Sequence, residues 1–152
     1  HPRYPFLYVI ESAIWHLLDN RRSSILVLLH ADDAEECNNH IHGLRESIAI
    51  RDSASSPSCL EVAHLTPSAI AGLLQVDGAH FLDADGRICK IAQKITVEDG
   101  GEGSPGKNPK KPGTGARSAQ ALSGMLPKSV VLKVSASGKV QIYEQGEPAH
   151  TE

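Results

Sequence analysis

The amino-acid sequence predicts one α/β (α+β) domain in which a mixed β-sheet is flanked by helices. Apolar residues between positions 6 and 21 recur at helical spacing. The run "SILVLLH" (24–30) is typical of a strand buried on both faces, as in a sheet covered by helices. Two later stretches, 77–95 and 130–143, each place a turn between two strand-like segments, as β-hairpins do. Helices interleaved with strands and hairpins indicate a sheet of mixed direction.

The remaining elements are predicted from their boundary residues. Residues 31–50 begin with acidic side chains, which suit the first turn of a helix. Thr66 is a good N-cap and Pro67 a good first helical residue, so a third helix is expected there. A further helix is predicted over 116–126, and a short strand within 59–65.

Composition limits the classes of function. At 152 residues and 40% hydrophobic, the chain suits a single domain over 1–152. A net charge of -3 predicts no bulk attraction to nucleic acid or anionic membrane. No apolar run approaches the about 20 residues of a membrane span. Three widely spaced cysteines indicate reduced thiols and a cytoplasmic location. The chain begins without Met, so we expect a domain cut from a longer polypeptide with effector domains elsewhere.

A flexible basic loop is predicted over 97–112, where glycine, proline and charge dominate. Gly113 and Gly115 then let the backbone approach a ligand, and helix N-termini bind phosphate through their free amides. Four cations accompany these glycines: Lys107, Lys110, Lys111 and Arg117. The stretch is therefore either a phosphate cradle or a solvated basic loop before an ordinary helix.

The triplet "DGA" at 77–79 lies at a predicted junction between a helix and a strand. Its glycine permits an unusual backbone angle, and the Asp77 carboxylate beside a phosphate is able to hold a divalent cation. The alternative is a plain turn. His80 is interpreted as a packed or exposed histidine rather than a ligand, and Asp83 and Asp85 as turn residues.

The order of these motifs resembles the diadenylate cyclase (DAC, DisA N-terminal type) nucleotide-binding domain. Members of that family carry a DGA motif, then a GT(G)xRHR motif that opens a helix, then a hairpin beginning "VS" near the end. The counterparts here are Asp77-Gly78-Ala79, "GTGAR" at 113–117 and "VVLKVSASGKVQIY" at 130–143. The resemblance covers roughly residues 66–146 by motif, and extends upstream through element order.

The resemblance implies a DAC-like mixed sheet in which each domain binds one ATP with Mg²⁺ or Mn²⁺. Two domains of the family meet face to face, and the 3′-hydroxyl of each ATP attacks the other's α-phosphate to give cyclic di-AMP. By this match Asp77 is the metal-binding and hydroxyl-activating residue. The implied nucleotide- and phosphate-binding residues are Gly78, Ala79, Gly113, Thr114, Gly115, Arg117, Ser118 and Lys111.

The chain departs from the family where the RHR triplet is expected, because it reads Arg117-Ser118-Ala119. Two polar groups of a triphosphate clamp are missing. We therefore interpret the domain as a divergent, catalytically impaired nucleotide sensor that binds a purine nucleotide or a cyclic dinucleotide. Two alternatives stay open: an active, homodimeric cyclase in which Lys110 or Lys111 substitutes for the clamp, and a protein-interaction domain that has lost its ligand.

Overall fold

A seven-stranded sheet organises the described part of the chain, which in this computed structural model comprises residues 5–40, 60–93, 95 and 114–149. The strands are β1 (Ser24–Leu28), β2 (Leu60–Glu61), β3 (Ala79–Leu82), β4 (Arg87–Gln93), β5 (Val130–Val134), β6 (Val140–Glu144) and β7 (Glu147–Pro148). The helices are α1 (Pro5–Asp19), α2 (Ala34–His40), α3 (Pro67–Leu74) and α4 (Thr114–Met125). None of the described helices is both long enough and apolar enough to cross a membrane.

The sheet is mixed, as predicted. Its strand order is β2-β4-β3-β1-β5-β6-β7. β1 lies near the centre, parallel to β3 on one side and antiparallel to β5 on the other. The other neighbouring pairs are antiparallel, and they include both predicted hairpins, β3–β4 and β5–β6. The β1 residues Ser24–Val27 are buried, which confirms the interpretation of the apolar run as a strand covered on both faces.

Helices cover both faces of the sheet. On one face α1 and α3 pack against β1 and β5, with Leu17, Ile70 and Leu26 among the fully buried side chains. On the other face α4 packs through Ala119 and Leu122. The predicted α/β architecture, a mixed sheet flanked by helices, is confirmed.

Local signals set most helix and strand boundaries. The Thr66 hydroxyl accepts a hydrogen bond from the Ala69 N–H at 3.2 Å, so α3 begins at Pro67 as predicted. The helix predicted over 31–50 begins with a 3-10 turn at 31–33 and continues as α2, and residues 41–50 lie outside the described part.

Two predictions about strands needed correction. The short strand expected within 59–65 is limited to β2, because the chain turns into a 3-10 helix at 62–64. β7 was missed: Gln145 and Gly146 both have positive φ, and the tight turn they form adds a two-residue strand to β6.

Asp33 ties the chain that follows β1 to the chain that enters β5. Its buried carboxylate accepts hydrogen bonds from the Ser129 hydroxyl at 2.7 Å and the Lys128 N–H at 2.9 Å. The Ser129 oxygen in turn accepts the N–H of His30 at 2.9 Å. This network fixes the ends of two neighbouring strands at the same edge of the sheet.

We expect Asp33→Ala to lower the free energy of unfolding by about 2–3 kcal/mol, because two donors lose a buried, charged acceptor. Chemical denaturation measures the change. Asp32→Ala is the matched control: the Asp32 carboxylate is exposed and pairs with the Lys128 ammonium at 2.6 Å, where water screens the interaction. Equal losses in the two variants contradict the role given to Asp33.

Candidate functional site

One row of paired residues crosses five neighbouring strands near one end of each strand. Strand pairing places Ile25 beside Ala79 on one side and beside Lys133 on the other. Ala79 lies opposite Gln93, and Lys133 lies opposite Gln141. Directly paired residues of neighbouring strands point to the same face of a sheet, so these five side chains share one surface.

A cavity of about 860 Å³ lies over this row. α4 covers the inner rows of the same face through Ala119 and Leu122, and its first turn borders the cavity through Gly115 and Ala116. The described lining residues are Ser23, Ser24, Ile25, Val76, Asp77, Gly78, Ala79, Gln93, Ile95, Gly115, Ala116, Ser118, Lys133, Ser135, Gln141 and Tyr143.

The structure brings the two motifs singled out in the sequence to this one cavity. Asp77, Gly78 and Ala79 line it from the start of β3, and Gly115 and Ser118 line it from α4. Thr114 is the first residue of α4. Arg117 is half-buried on the same helix and is not among the lining residues. Gly113, Lys111 and the other loop lysines lie outside the described residues, as does the loop predicted over 97–112.

Gly78 is required by a close approach between two segments of main chain. Its φ is +117°, and a Cβ atom there would lie 2.6 Å from the carbonyl carbon of Ala92. Ala92 itself has a φ of +54°, and the β3–β4 register shifts nearby. The glycine of the "DGA" triplet therefore lets the loop that carries Asp77 pack against an irregular segment of β4.

His80 connects the loop that carries Asp77 to β4 through both nitrogens of its ring. It is fully buried, its Nδ1 accepts the N–H of Ala92 at 3.2 Å, and its Nε2 lies 2.9 Å from the carbonyl oxygen of Val76. Only the neutral tautomer with a proton on Nε2 satisfies both partners. Burial lowers the pKa of His80, which favours this neutral form. Of the two interpretations given to His80, packed or exposed, the structure shows the packed one.

Lys133 supplies a positive charge to the cavity that sequence reasoning missed. Its side chain lies against Gly115, where a Cβ atom would approach Lys133 Cε to 2.6 Å. The ammonium donates to the carbonyl oxygen of Val134 at 2.9 Å, and burial lowers the pKa of Lys133. Among the described lining residues it is the single Lys or Arg. The sequence did offer one signal for this residue, because Lys133 lies between apolar residues in the alternating pattern of β5.

Two buried polar atoms at the cavity have no hydrogen-bond partner among the described residues: Ser24 Oγ and Gln93 Oε1. Ser24 is 6% exposed and Gln93 is 1% exposed. A buried polar atom without a partner is costly, and in native proteins it often marks a place for water or a ligand. Neither residue was singled out from the sequence.

Positions 118 and 119, where the family has the histidine and the second arginine of its RHR triplet, carry small neutral side chains. Ser118 is buried and lines the cavity with a small neutral side chain. Ala119 is fully buried in the core between α4 and the sheet, beside residues such as Leu122. Position 119 therefore contributes packing and no charge.

The residues present suit a phosphate-bound divalent cation better than an all-protein metal cage. Asp77 is the single acidic residue among the described lining residues, and it is exposed. No group of three or more metal-ligating side chains occurs within the described ranges. Mg²⁺ is commonly held by one or two carboxylates together with substrate phosphates and water.

Comparison with known proteins finds likeness in structure. No protein-family model matches the chain, and no curated protein matches it. DacA from Staphylococcus aureus, a diadenylate cyclase solved as a double mutant, superimposes with a TM-score of 0.63 at 18% identity. The alignment covers 93% of this chain and 85% of that one. A hypothetical membrane-spanning protein from Bacillus cereus gives 0.60 at 19% identity, and 97% of this chain aligns with 64% of that protein's length. The chain therefore has a diadenylate cyclase-like fold.

Gly78→Ala is expected to lower the free energy of unfolding by at least about 1 kcal/mol, because the new methyl group meets main chain at an unfavourable φ. Gly72 in α3 is the matched control, since a Cβ atom there has nothing within 4 Å. Gly72→Ala should raise stability by about 0.5–1 kcal/mol, as alanine favours a helix interior. Thermal or chemical denaturation measures both. A harmless Gly78→Ala contradicts the close-approach argument.

Acid should destabilise the protein through His80. Above the ordinary histidine pKa near 6.5, both folded and unfolded states hold this ring neutral. As the pH falls below that value the unfolded state takes up a proton first, so stability is lost until the folded state also protonates. We expect His80→Gln to reduce the slope of unfolding free energy against pH below 6.5. The chain has eight histidines, and identical slopes in the two proteins exclude His80 as a contributor.

Proposed function

We propose that this diadenylate cyclase-like domain binds a purine nucleotide or a cyclic dinucleotide in the cavity and acts as a sensor that does not cyclise ATP. One observation carries the proposal: within the DacA-like fold, a single cavity joins the "DGA" triplet to the first turn of α4. A cavity of this size accommodates a nucleotide, and its polar groups lie around an apolar floor of Ile25 and Ala79.

The phosphates lie between the start of α4 and Lys133. The amides at a helix N-terminus attract anions, and Gly115 leaves room for the lysine side chain beside them. An anion there offsets the burial that lowers the pKa of Lys133. Asp77 holds Mg²⁺ or Mn²⁺ in company with phosphate oxygens, and the ion supplies charge neutralisation when bound.

Catalytic impairment is supported by the side chains at 118 and 119. Phosphoryl transfer depends mainly on positioning and on stabilisation of negative charge in the transition state. Loss of one such donor costs roughly a hundred- to thousandfold in rate. Ser118 and Ala119 carry no charge, and Lys133 alone supplies a positive charge among the described lining residues. Such a site retains affinity for phosphate more readily than it retains catalysis.

The DacA-like fold itself favours a second candidate, an active cyclase that makes cyclic di-AMP from two ATP molecules. That activity requires two domains face to face and a divalent metal. In the sensor, by contrast, the ligand-bound cavity signals to an effector domain or to a second copy of this chain.

A thermal-shift panel of ATP, GTP, cyclic AMP and cyclic di-AMP, with and without Mn²⁺, tests the proposal. A ligand at a hundred times its Kd adds about 2.7 kcal/mol of stability. We expect a shift with ATP or cyclic di-AMP and, by chromatography, no new cyclic dinucleotide. Formation of cyclic di-AMP establishes the cyclase instead. No shift with any nucleotide overturns both and favours a protein-interaction domain.

Lys133→Gln should lower the affinity for the nucleotide that gives a thermal shift roughly ten- to a hundredfold, because a charged hydrogen bond to phosphate is lost. Lys139→Gln is the matched control, since Lys139 is exposed in the β5–β6 turn and does not line the cavity. Titration calorimetry on both variants provides the comparison. Equal affinities place the phosphates away from Lys133.

A further inference from the structure

The side-chain amide of Gln93 has a fixed orientation. Its Nε2 donates to the carbonyl oxygen of Ile91 at 2.6 Å. A carbonyl oxygen accepts only, so the amino group must face it and the amide oxygen must face away. Gln93 is 1% exposed, and its Oε1 has no partner among the described residues. Gln93, which lines the cavity, therefore carries a buried acceptor that has no donor among the described residues.

Protein neighbours in the same row do not supply that donor. Gln93 lies opposite Ala79, and Ala79 lies beside Ile25, so the adjacent floor is apolar. Lys133 stands three strands away from Gln93, which corresponds to roughly 14 Å at the usual spacing between strands. The row thus carries a cationic donor near one end and a neutral acceptor at the other.

This separation matches a ligand with an anionic group at one end and a neutral donor at the other. We propose that Gln93 Oε1 accepts a hydrogen bond from an N–H or O–H group of the bound nucleotide, at the end remote from Lys133. Gln93 is then a specificity-determining residue that favours ligands with a donor at that end. This inference rests on the proposed function. It adds the orientation of the nucleotide in the cavity and the group of the nucleotide that Gln93 recognises.

In ATP two kinds of group carry the required donor: the exocyclic amine of the base and the ribose hydroxyls. Ser24 Oγ, the other unpaired atom, does not discriminate, because a hydroxyl both donates and accepts. The acceptor on Gln93 is selective, since it gains nothing from another acceptor at the same place.

Titration calorimetry with four probes distinguishes these sources: ATP, purine riboside triphosphate, which lacks the amine, 2′-deoxy-ATP and 3′-deoxy-ATP. We expect one of the three analogues to bind the unaltered protein roughly three- to tenfold more weakly than ATP, as for one neutral hydrogen bond. Gln93→Met keeps the length of the side chain and removes the acceptor. In that variant the preference for ATP over the same analogue should disappear.

Gln141→Met is the matched control. Gln141 lies in the same row, but its Oε1 already accepts the Tyr143 hydroxyl at 3.1 Å. This variant should keep the ATP preference of the unaltered protein even if its affinity for all probes changes. A merely structural role for Gln93 would alter affinity for every probe by a similar factor and leave the ratio intact.

The outcomes separate the two proposals. Nucleotide binding with an unchanged ratio in Gln93→Met overturns the role of Gln93 and leaves the proposed function standing. Equal affinities of all four probes for the unaltered protein also overturn the role of Gln93 and leave the proposed function standing. This comparison needs no variant, so a folding failure of Gln93→Met does not block the test. Absence of binding by every probe overturns both.

Discussion

The site depends on the pairing of β1 with β3 on one side and with β5 on the other. This register aligns Ile25 with Ala79 and with Lys133. Because side chains alternate between the faces of a strand, a shift of one residue in either pair would turn the floor of the cavity towards α1 and α3. The buried network around Asp33 joins the chain that leaves β1 to the chain that enters β5. The register of this pair is therefore also fixed at the strand ends that lie away from the cavity.

Close packing of main chain positions the loop that carries Asp77. Gly78 lies against Ala92, and His80 bonds to that residue and to Val76. The same irregular segment of β4 ends at Gln93, whose amide is held by Ile91. The irregular segment of β4 thus contacts the loop that carries the exposed Asp77 carboxylate and also bears the buried acceptor of Gln93.

The fold is diadenylate cyclase-like, but the positive charge that lines the cavity does not come from the segment that matches the family's GT(G)xRHR motif. A core alanine and a buried serine occupy positions 119 and 118, and the described lining cation comes from β5 rather than from α4. A single lysine that is partly desolvated binds phosphate as a point charge. It lacks the rigid fork with which several guanidinium groups grip a transferring phosphoryl group, which accounts physically for binding without cyclisation in the proposed sensor.

Local patterns in the sequence determined the mixed α/β fold, the α3 cap at Thr66 and both hairpins, and the resemblance in motif order predicted that the "DGA" triplet meets the start of α4. These features follow from side-chain periodicity, backbone freedom and motif order within short stretches. Tertiary structure alone decided that Lys133 and Gln93, which are 40 residues apart in the chain, lie in one row along the cavity through strand pairing. It also decided that Arg117, the guanidinium chosen from sequence, does not line the cavity, because the direction of a side chain on a helix is set by how that helix packs.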